Sequence, residues 1–262
     1  MRLIPVVVLA LLVAAFPLRA EPRVDPVSYS LDGTEMVGAV VYDDSVTSAR
    51  PGLLMVPNWF GVNESSLVKA QAIAGKDYVV FVADVYGADT RPANADDAGK
   101  AAMAMFADRG VLRARAQAAL AAFKERASDL NVDTARLGAI GFCFGGATVL
   151  ELARDGTDIA GVVSFHGNLG ADPKFPAGKI GTRVLALNGA DDTYVPAEQI
   201  NAFTKEMQAA GADFQFVNFG GAVHCFAEPD ANSPGCLYNE RAAKRSFRMM
   251  NEFFAEAFSA QR

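Results

Sequence analysis

The sequence has 262 residues, of which 51% are hydrophobic and 21% are charged, and its formal net charge is −6. This is the composition of a folded globular protein with enough chain for one large α/β domain, and it excludes disordered, collagen-like and coiled-coil proteins. The acidic balance, without any run of lysine and arginine, argues against nucleic acid or an anionic membrane as the main partner.

Residues 1–20 have the pattern of a secretory signal peptide. Arg2 gives a short basic start, residues 4–16 are apolar throughout, and Ala20 ends a possible cleavage site. The apolar run is shorter than a membrane-spanning helix requires. We therefore expect residues 21–262 to form one domain in the periplasm or outside the cell, with no membrane contact after cleavage. An uncleaved anchor or a hydrophobic first strand is the alternative.

Two periodicities alternate along the rest of the chain. Short apolar runs, most of them apolar on both faces, predict strands covered by helices on each side at residues 37–41, 53–56, 79–82, 137–140, 162–165, 184–187 and 214–217. Apolar residues repeat every three or four positions over 112–123, 200–210 and 247–257, which predicts helices, and Pro196 fits a first helical turn. The alternation indicates an α/β fold with one doubly wound, mostly parallel sheet and helices on both faces. In such a sheet the functional residues lie at the carboxyl ends of the strands.

The run Gly-Phe-Cys-Phe-Gly-Gly over residues 141–146 joins a predicted strand to a predicted helix. With Cys143 at its centre, it has the pattern of a nucleophile elbow. Such a turn forces the central residue into a strained backbone conformation and holds its side chain above the sheet, at the positive end of a helix that favours a thiolate. A buried cysteine in a glycine-rich crossover is the alternative.

Polar residues also follow two later predicted strands. Asp191 and Asp192 come after the strand at 184–187, and His224 follows the strand at 214–217. The order nucleophile, acid, histidine is that of α/β-hydrolases. In this arrangement the histidine takes the thiol proton, and the acid fixes its tautomer and stabilises its charged form. A turn acid and a loop histidine bonded to backbone are the alternatives.

His166 follows a strand too, but it precedes the acid in the chain, and we expect it to be a structural neighbour of the site. A zinc site formed by Cys143, Cys225, His166 and His224 is a further alternative. No pair among them has a ligand spacing such as C-x-x-C. We therefore expect neither a metal nor a cofactor.

Taken together, these segments resemble the dienelactone hydrolase family. The resemblance rests on the elbow and on residues 57–63, 83–86, 192–196 and 221–226. It implies an α/β-hydrolase fold, hydrolysis of carboxylic esters or lactones, and a triad of Cys143, Asp192 and His224, with the acid at 192 rather than 191. It also implies an oxyanion hole formed by the backbone N–H groups of Trp59 and Phe144.

The sequence departs from the family pattern at three positions. Asn58 replaces a glutamate that in the family helps to generate the thiolate. Ala88 replaces a carboxylate-binding arginine for which Arg91 could substitute, and Glu228 replaces a second such arginine and would repel a carboxylate. A mostly uncharged lining from Trp59, Phe60, Tyr86 and Phe144 favours a neutral or aromatic acyl group. We therefore expect altered specificity.

Cys225 and Cys236 could close a loop as a disulfide in an oxidising compartment, or remain two separate thiols. The overall prediction is an exported, cofactor-free hydrolase, monomeric or a small homo-oligomer, that cleaves a small-molecule ester, lactone or thioester through a cysteine nucleophile. Two alternatives are a catalytically weak ligand-binding protein that keeps the fold and a protein whose thiols serve in redox chemistry.

Overall fold

The computed structural model describes residues 22–259, so the predicted signal peptide lies outside the described residues. The described chain forms a sheet of eight strands in the order β1-β2-β4-β3-β5-β6-β7-β8. In chain order the strands are β1 (Arg23–Leu31), β2 (Thr34–Tyr42), β3 (Arg50–Val56), β4 (Val79–Val82), β5 (Val132–Phe142), β6 (Gly161–Phe165), β7 (Arg183–Gly189) and β8 (Phe214–Phe219).

The sheet is parallel from β4 through β3 and on to β8, and antiparallel at the edge formed by β1 and β2. The mostly parallel sheet is therefore confirmed, and all seven predicted strands are present. Strand β1 was missed because it lies at the sheet edge and buries only Val27 fully, so it lacks a continuous apolar run. Edge strands of this kind carry a weak sequence signal.

Six helices cover the two faces of the sheet in the described chain: α1 (Glu64–Ala74), α2 (Ala95–Ala107), α3 (Arg109–Glu125), α4 (Phe144–Arg154), α5 (Ala197–Ala209) and α6 (Glu240–Ser259). Helices α1 and α6 pack on one face, and α2 to α5 pack on the other. Phe254 of α6 is fully buried against β5, where Gly138 leaves the space that its ring occupies. Burial of a side chain of this size contributes about 1.5–3 kcal/mol to stability. No helix of this described part is long and apolar enough to cross a membrane.

Helices α1 and α2 were not predicted, because they bury only small residues and present no stripe of large apolar ones. The fully buried positions of α1 are Ser66, Ala70 and Ala74. The signals present were the caps: Asn63 forms a capping box with Ser66, and Asn94 caps α2. The placement of Pro196 in a first helical turn is corrected by one position, since it is the N-cap residue and α5 begins at Ala197.

The turn between β5 and α4 brings helix and strand into closer contact than a side chain would allow. Cys143 takes φ +52° and ψ −113°, the strained conformation predicted for the centre of the elbow. A Cβ on Gly145 would overlap the carbonyl oxygens of Val56 and Pro57, so glycine is required where α4 meets the end of β3. The start of α4 is thereby fixed beside the loop that follows β3.

We expect Gly145→Ala to destabilise the fold by about 1–3 kcal/mol or more, because the methyl group meets backbone that cannot move aside. This should appear as a reduction of several degrees in the midpoint of thermal unfolding. Gly181→Ala is the matched control, since nothing lies within 4 Å of the Cβ it would add. Equal melting temperatures for the two variants would show that the contact at Gly145 is not tight.

Candidate active site

Cys143, His224 and Asp192 form a continuous hydrogen-bonded chain at the carboxyl edge of the sheet. Cys143 follows β5, Asp192 follows β7 and His224 follows β8. The Cys143 Sγ lies 3.1 Å from Nε2 of His224, and Nδ1 of His224 lies 2.8 Å from Oδ2 of Asp192. The structure thus brings together the three residues that the sequence predicted.

The structure selects Asp192 over its neighbour. Asp192 is buried, and its second carboxylate oxygen, Oδ1, accepts a hydrogen bond from the Tyr194 N–H at 2.8 Å. Asp191 is exposed. With one oxygen held by backbone and the other by His224, the Asp192 carboxylate fixes both the tautomer and the orientation of the imidazole.

The His224 side chain lies between two acidic groups. Burial alone would lower its pKa, but the hydrogen bonds to Asp192 and Cys143, with the negative charges of both, raise the pKa to about 10. His224 is therefore an imidazolium at neutral pH. The imidazolium Nε2 lies 3.1 Å from the Cys143 sulfur, and α4 begins at the next residue, so a positive charge and the positive end of a helix both lie beside the sulfur. A thiolate beside a proton donor can attack a carbonyl carbon and protonate the departing group.

His166 lies directly beneath the elbow and is fully buried, with φ +40°. Its Nδ1 accepts a hydrogen bond from the backbone N–H of Cys143 at 3.2 Å, so the ring proton is on Nε2. Burial, followed by repulsion from His224 and Lys69, lowers its pKa well below the usual value. His166 is therefore a neutral ring that supports the Cys143 backbone, as expected of a structural neighbour, and it lies outside the proton-transfer chain.

Two backbone N–H groups are available next to Cys143. Phe144 is the first residue of α4, and Trp59 lies in the loop after β3, which Gly145 holds against that helix. Within residues 22–259 neither N–H donates a hydrogen bond. Their use as an oxyanion hole stays a prediction, and this placement is the one it requires.

A cleft of about 260 Å³ opens at Cys143. Its walls come from the loop after β3, the start of α1 and the segment after His224. They are formed by Asn58, Trp59, Phe60, Asn63, Ser65, Cys143, Cys225, Glu228, Asp230, Ala231 and Cys236. Among the described residues, no group of three or more histidine, cysteine, aspartate or glutamate side chains could hold a metal ion.

Comparison with known proteins identifies the family of this chain. A model of the dienelactone hydrolase family matches residues 37–258. The chain belongs to the dienelactone hydrolase family. Its members are hydrolases with an α/β-hydrolase fold, so the predicted family and fold class are confirmed, and the family implies a small-molecule substrate.

Three similar proteins show how far the likeness extends. Uncharacterized protein K02A2.1 of Caenorhabditis elegans is 38% identical over 59% of this chain and 100% of its own length. A putative carboxymethylenebutenolidase of Salmonella typhimurium is 27% identical over 86% of this chain and 84% of its own. A crystal structure of a dienelactone hydrolase-like promiscuous phosphotriesterase from metagenomic libraries is 34% identical, with a TM-score of 0.84 over 91% of this chain and 99% of that one.

Three side chains that were expected in the cleft of this dienelactone hydrolase family member do not line it: Tyr86, Phe144 and Arg91. Tyr86 is buried behind it, where its hydroxyl donates to the Trp59 carbonyl oxygen at 3.0 Å and its ring packs on Phe144. Burial, then the nearby negative charges of Cys143 and Asp84, raises the pKa of Tyr86, so it stays a neutral donor. Tyr86 positions the loop that carries Trp59.

Arg91 is also corrected. Its guanidinium donates to Oδ2 of Asp84 at 2.8 Å and to the Gly87 carbonyl oxygen at 2.7 Å. The same carboxylate accepts backbone N–H bonds from Val37, Tyr86 and Gly87. Arg91 therefore stabilises the loop after β4 and does not replace a carboxylate-binding arginine.

Glu228 lines the cleft as expected, but it is not the isolated negative charge that the sequence suggested. It forms an ion pair with Lys69 of α1, and both side chains are buried. Lys69 was not predicted as a buried partner of Glu228, because a lysine among small helical residues is usually exposed to solvent. Its burial depends on a glutamate 159 positions away in the chain. The repulsion expected from Glu228 is thus largely offset by Lys69.

Cys225 and Cys236 form the expected disulfide. The segment between them carries Glu228 and the two short strands β9 (Asn232–Ser233) and β10 (Cys236–Leu237). The Leu237 N–H donates to the His224 carbonyl oxygen at 3.1 Å, and His224 pairs with Cys236 as an isolated β-bridge. The disulfide therefore closes a loop that is bonded directly to the backbone of the histidine.

We expect iodoacetamide to alkylate Cys143 at a rate that changes less than twofold between pH 7 and pH 9, because the His224 imidazolium persists up to about pH 10. In His224→Asn the rate should rise about tenfold from pH 7 to pH 8, as for an ordinary thiol of pKa about 8.5. Asp191→Asn, which removes an exposed charge next to the site, should keep the flat profile. A tenfold rise in the wild type over that unit would contradict the ion pair.

Proposed function

We propose that this protein is an exported carboxylic ester hydrolase that cleaves small-molecule esters, lactones or thioesters through Cys143. The observation that carries the proposal is the continuous chain from Asp192 through His224 to the Cys143 sulfur, at 2.8 Å and 3.1 Å. A protein that only binds ligands has no need of a charged imidazole bonded to a cysteine sulfur. Export is supported by the apolar leader pattern at residues 4–16 and by the Cys225–Cys236 disulfide, a bond typical of oxidising compartments.

The reaction begins when the Cys143 thiolate attacks the carbonyl carbon of the substrate. The carbonyl π electrons move to oxygen, where the N–H groups of Phe144 and Trp59 stabilise the negative charge. As the tetrahedral intermediate collapses, the carbon–oxygen bond to the leaving group breaks, and the His224 imidazolium gives that oxygen its proton. The product of this half is an acyl thioester on Cys143.

In the second half of the reaction, the same residues release the acyl group. Neutral His224 takes a proton from water, the resulting hydroxide attacks the thioester carbonyl, and the Cys143 thiolate departs. His224 is again an imidazolium, so the ion pair is restored. Asp192 stays ionised throughout and stabilises each charged state of the imidazole.

The cleft composition favours neutral substrates. Among its described lining residues there is no arginine or lysine, and two acids, Glu228 and Asp230, are present. Trp59 and Phe60 supply apolar contact area. A substrate carboxylate would find no cation in the cleft with which to pair, because Lys69 is already bound to Glu228.

The proposal is tested by intact mass spectrometry during turnover of 4-nitrophenyl butanoate. The wild type should release 4-nitrophenol and carry a transient butanoyl adduct on Cys143. Cys143→Ala should fold normally, since the side chain faces the cleft, but show neither adduct nor turnover. Residual activity of Cys143→Ala above about 1% of wild type would remove the cysteine from the mechanism. A disulfide-linked species at Cys143 in place of an acyl adduct would favour redox chemistry, and an inert thiol would favour a binding protein.

We expect kcat/KM for neutral short-chain or aryl esters to exceed kcat/KM for a carboxylate-bearing dienelactone by about a hundredfold. Each missing charge-assisted hydrogen bond costs roughly 1.5–3 kcal/mol, and two arginines of the family pattern are absent at positions 88 and 228. The measurement is steady-state kinetics on the purified mature protein. A higher kcat/KM for dienelactone than for every neutral ester tested would contradict the specificity argument.

A further inference from the structure

Glu228 presents one carboxylate oxygen that the protein itself does not use. The residue is only 6% exposed, yet it contributes to the wall of the cleft that holds Cys143. Its Oε2 is bonded to the Lys69 ammonium. Its Oε1 is buried and has no hydrogen-bond partner among residues 22–259.

Burial of a carboxylate oxygen without a hydrogen-bond donor costs folding free energy, because the oxygen loses its bound water and gains no hydrogen bond. Lys69 offsets the charge but reaches only one oxygen. The Lys69 ammonium also lies 4.2 Å from the centroid of the Phe142 ring, so it is held on the side of the fold where β5 ends. Glu228 therefore combines a buried oxygen that has no donor with a place in the wall of the cleft.

The backbone around Glu228 is fixed as well. The Glu228 N–H donates to the Cys225 carbonyl oxygen at 2.9 Å, and the Glu228 carbonyl accepts from the Ala231 N–H at 3.0 Å. Cys225 is held to Cys236 by the disulfide. Because both the backbone and the side chain are held, little conformational entropy is lost when a ligand donates to Oε1.

We propose that Glu228 is a specificity-determining residue whose free oxygen accepts a hydrogen bond from a hydroxyl group of the substrate. The inference rests on the proposed function and narrows the substrate class to hydroxylated esters and lactones. A neutral hydroxyl fits better than an ammonium group, because Lys69 already balances the charge of Glu228 and a second cation would be repelled. A substrate carboxylate has no proton to donate at neutral pH.

The test compares ethyl butanoate with two esters that each add one hydroxyl group, ethyl 3-hydroxybutanoate on the acyl side and 2-hydroxyethyl butanoate on the alcohol side. The readout is the ratio of kcat/KM, hydroxylated over plain ester. We expect a wild-type ratio of at least about ten for one of the pairs, the effect of one hydrogen bond to a charged group. Measuring the ratio in each variant cancels the intrinsic reactivity of the esters.

Glu228→Gln should reduce that ratio at least threefold, since the amide is a neutral and weaker acceptor. Because this change leaves the Lys69 ammonium buried without its partner and could unfold the protein, the double variant Lys69→Met/Glu228→Met removes both charges at similar volume. Its ratio should fall to about one. Asp230→Asn is the matched control: it alters a second acid of the same cleft, whose Oδ2 already accepts from Ser65 at 2.8 Å, and its ratio should stay within twofold of wild type.

A wild-type ratio below two for both pairs, or an unchanged ratio in the double variant, would overturn the assignment of Glu228 while leaving the hydrolase proposal intact. Loss of the ratio in Asp230→Asn as well would attribute the preference to the general charge of the cleft and would overturn it too. Failure to hydrolyse any of the three esters, with no acyl adduct on Cys143, would instead overturn the proposed function.

Discussion

The contact between the first turn of α4 and the end of β3 is the constraint on which the site depends. A side chain at Gly145 would overlap the carbonyl oxygens of Val56 and Pro57, so the helix can start there only on a glycine. That close approach leaves no room for a gradual turn, and Cys143 takes up the change of direction at φ +52°. The strain at one residue holds the sulfur above the sheet and sets the Phe144 N–H beside the loop that carries Trp59.

Hydrogen-bond partners give opposite charge states to two buried histidines whose ring centroids lie 5.3 Å apart. His224 has an acidic group on each ring nitrogen, and these raise its pKa to about 10 in spite of burial. His166 has only a backbone N–H on one nitrogen, and burial and the neighbouring positive charges lower its pKa. The same side chain is thus a charged proton donor in one position and a neutral support in the other, and hydrogen-bond partners decide which.

The sequence predicted the parts of the site that depend on local pattern. The elbow around Cys143, and Asp192 and His224 after their strands, could be read directly because each follows an apolar run at the same sheet edge. Lys69 could not, since nothing near it in the chain marks it as buried. Arg91 and Tyr86 were placed in the cleft by resemblance to the family pattern, whereas the structure bonds Arg91 to Asp84 and Tyr86 to the Trp59 carbonyl oxygen. Helices α1 and α2 were not predicted because their buried residues are alanine and serine, which bury little apolar area and form no stripe of large apolar side chains.

The triad residues and the cleft-lining residues are held by different parts of the fold. Substrate specificity can therefore change while the triad keeps its geometry. Cys143 and Asp192 stand at strand ends fixed by the sheet, and His224 is tied to the Cys236 loop through the bond from Leu237. Asn58 and Glu228, which line the cleft, are loop side chains that form no hydrogen bond with the three triad side chains within residues 22–259. The disulfide loop therefore carries Glu228 on the same rigid segment that supports the histidine. On the proposed function, a lysine–glutamate pair in place of the family's arginine alters which substrates the cleft accepts without moving the atoms that react.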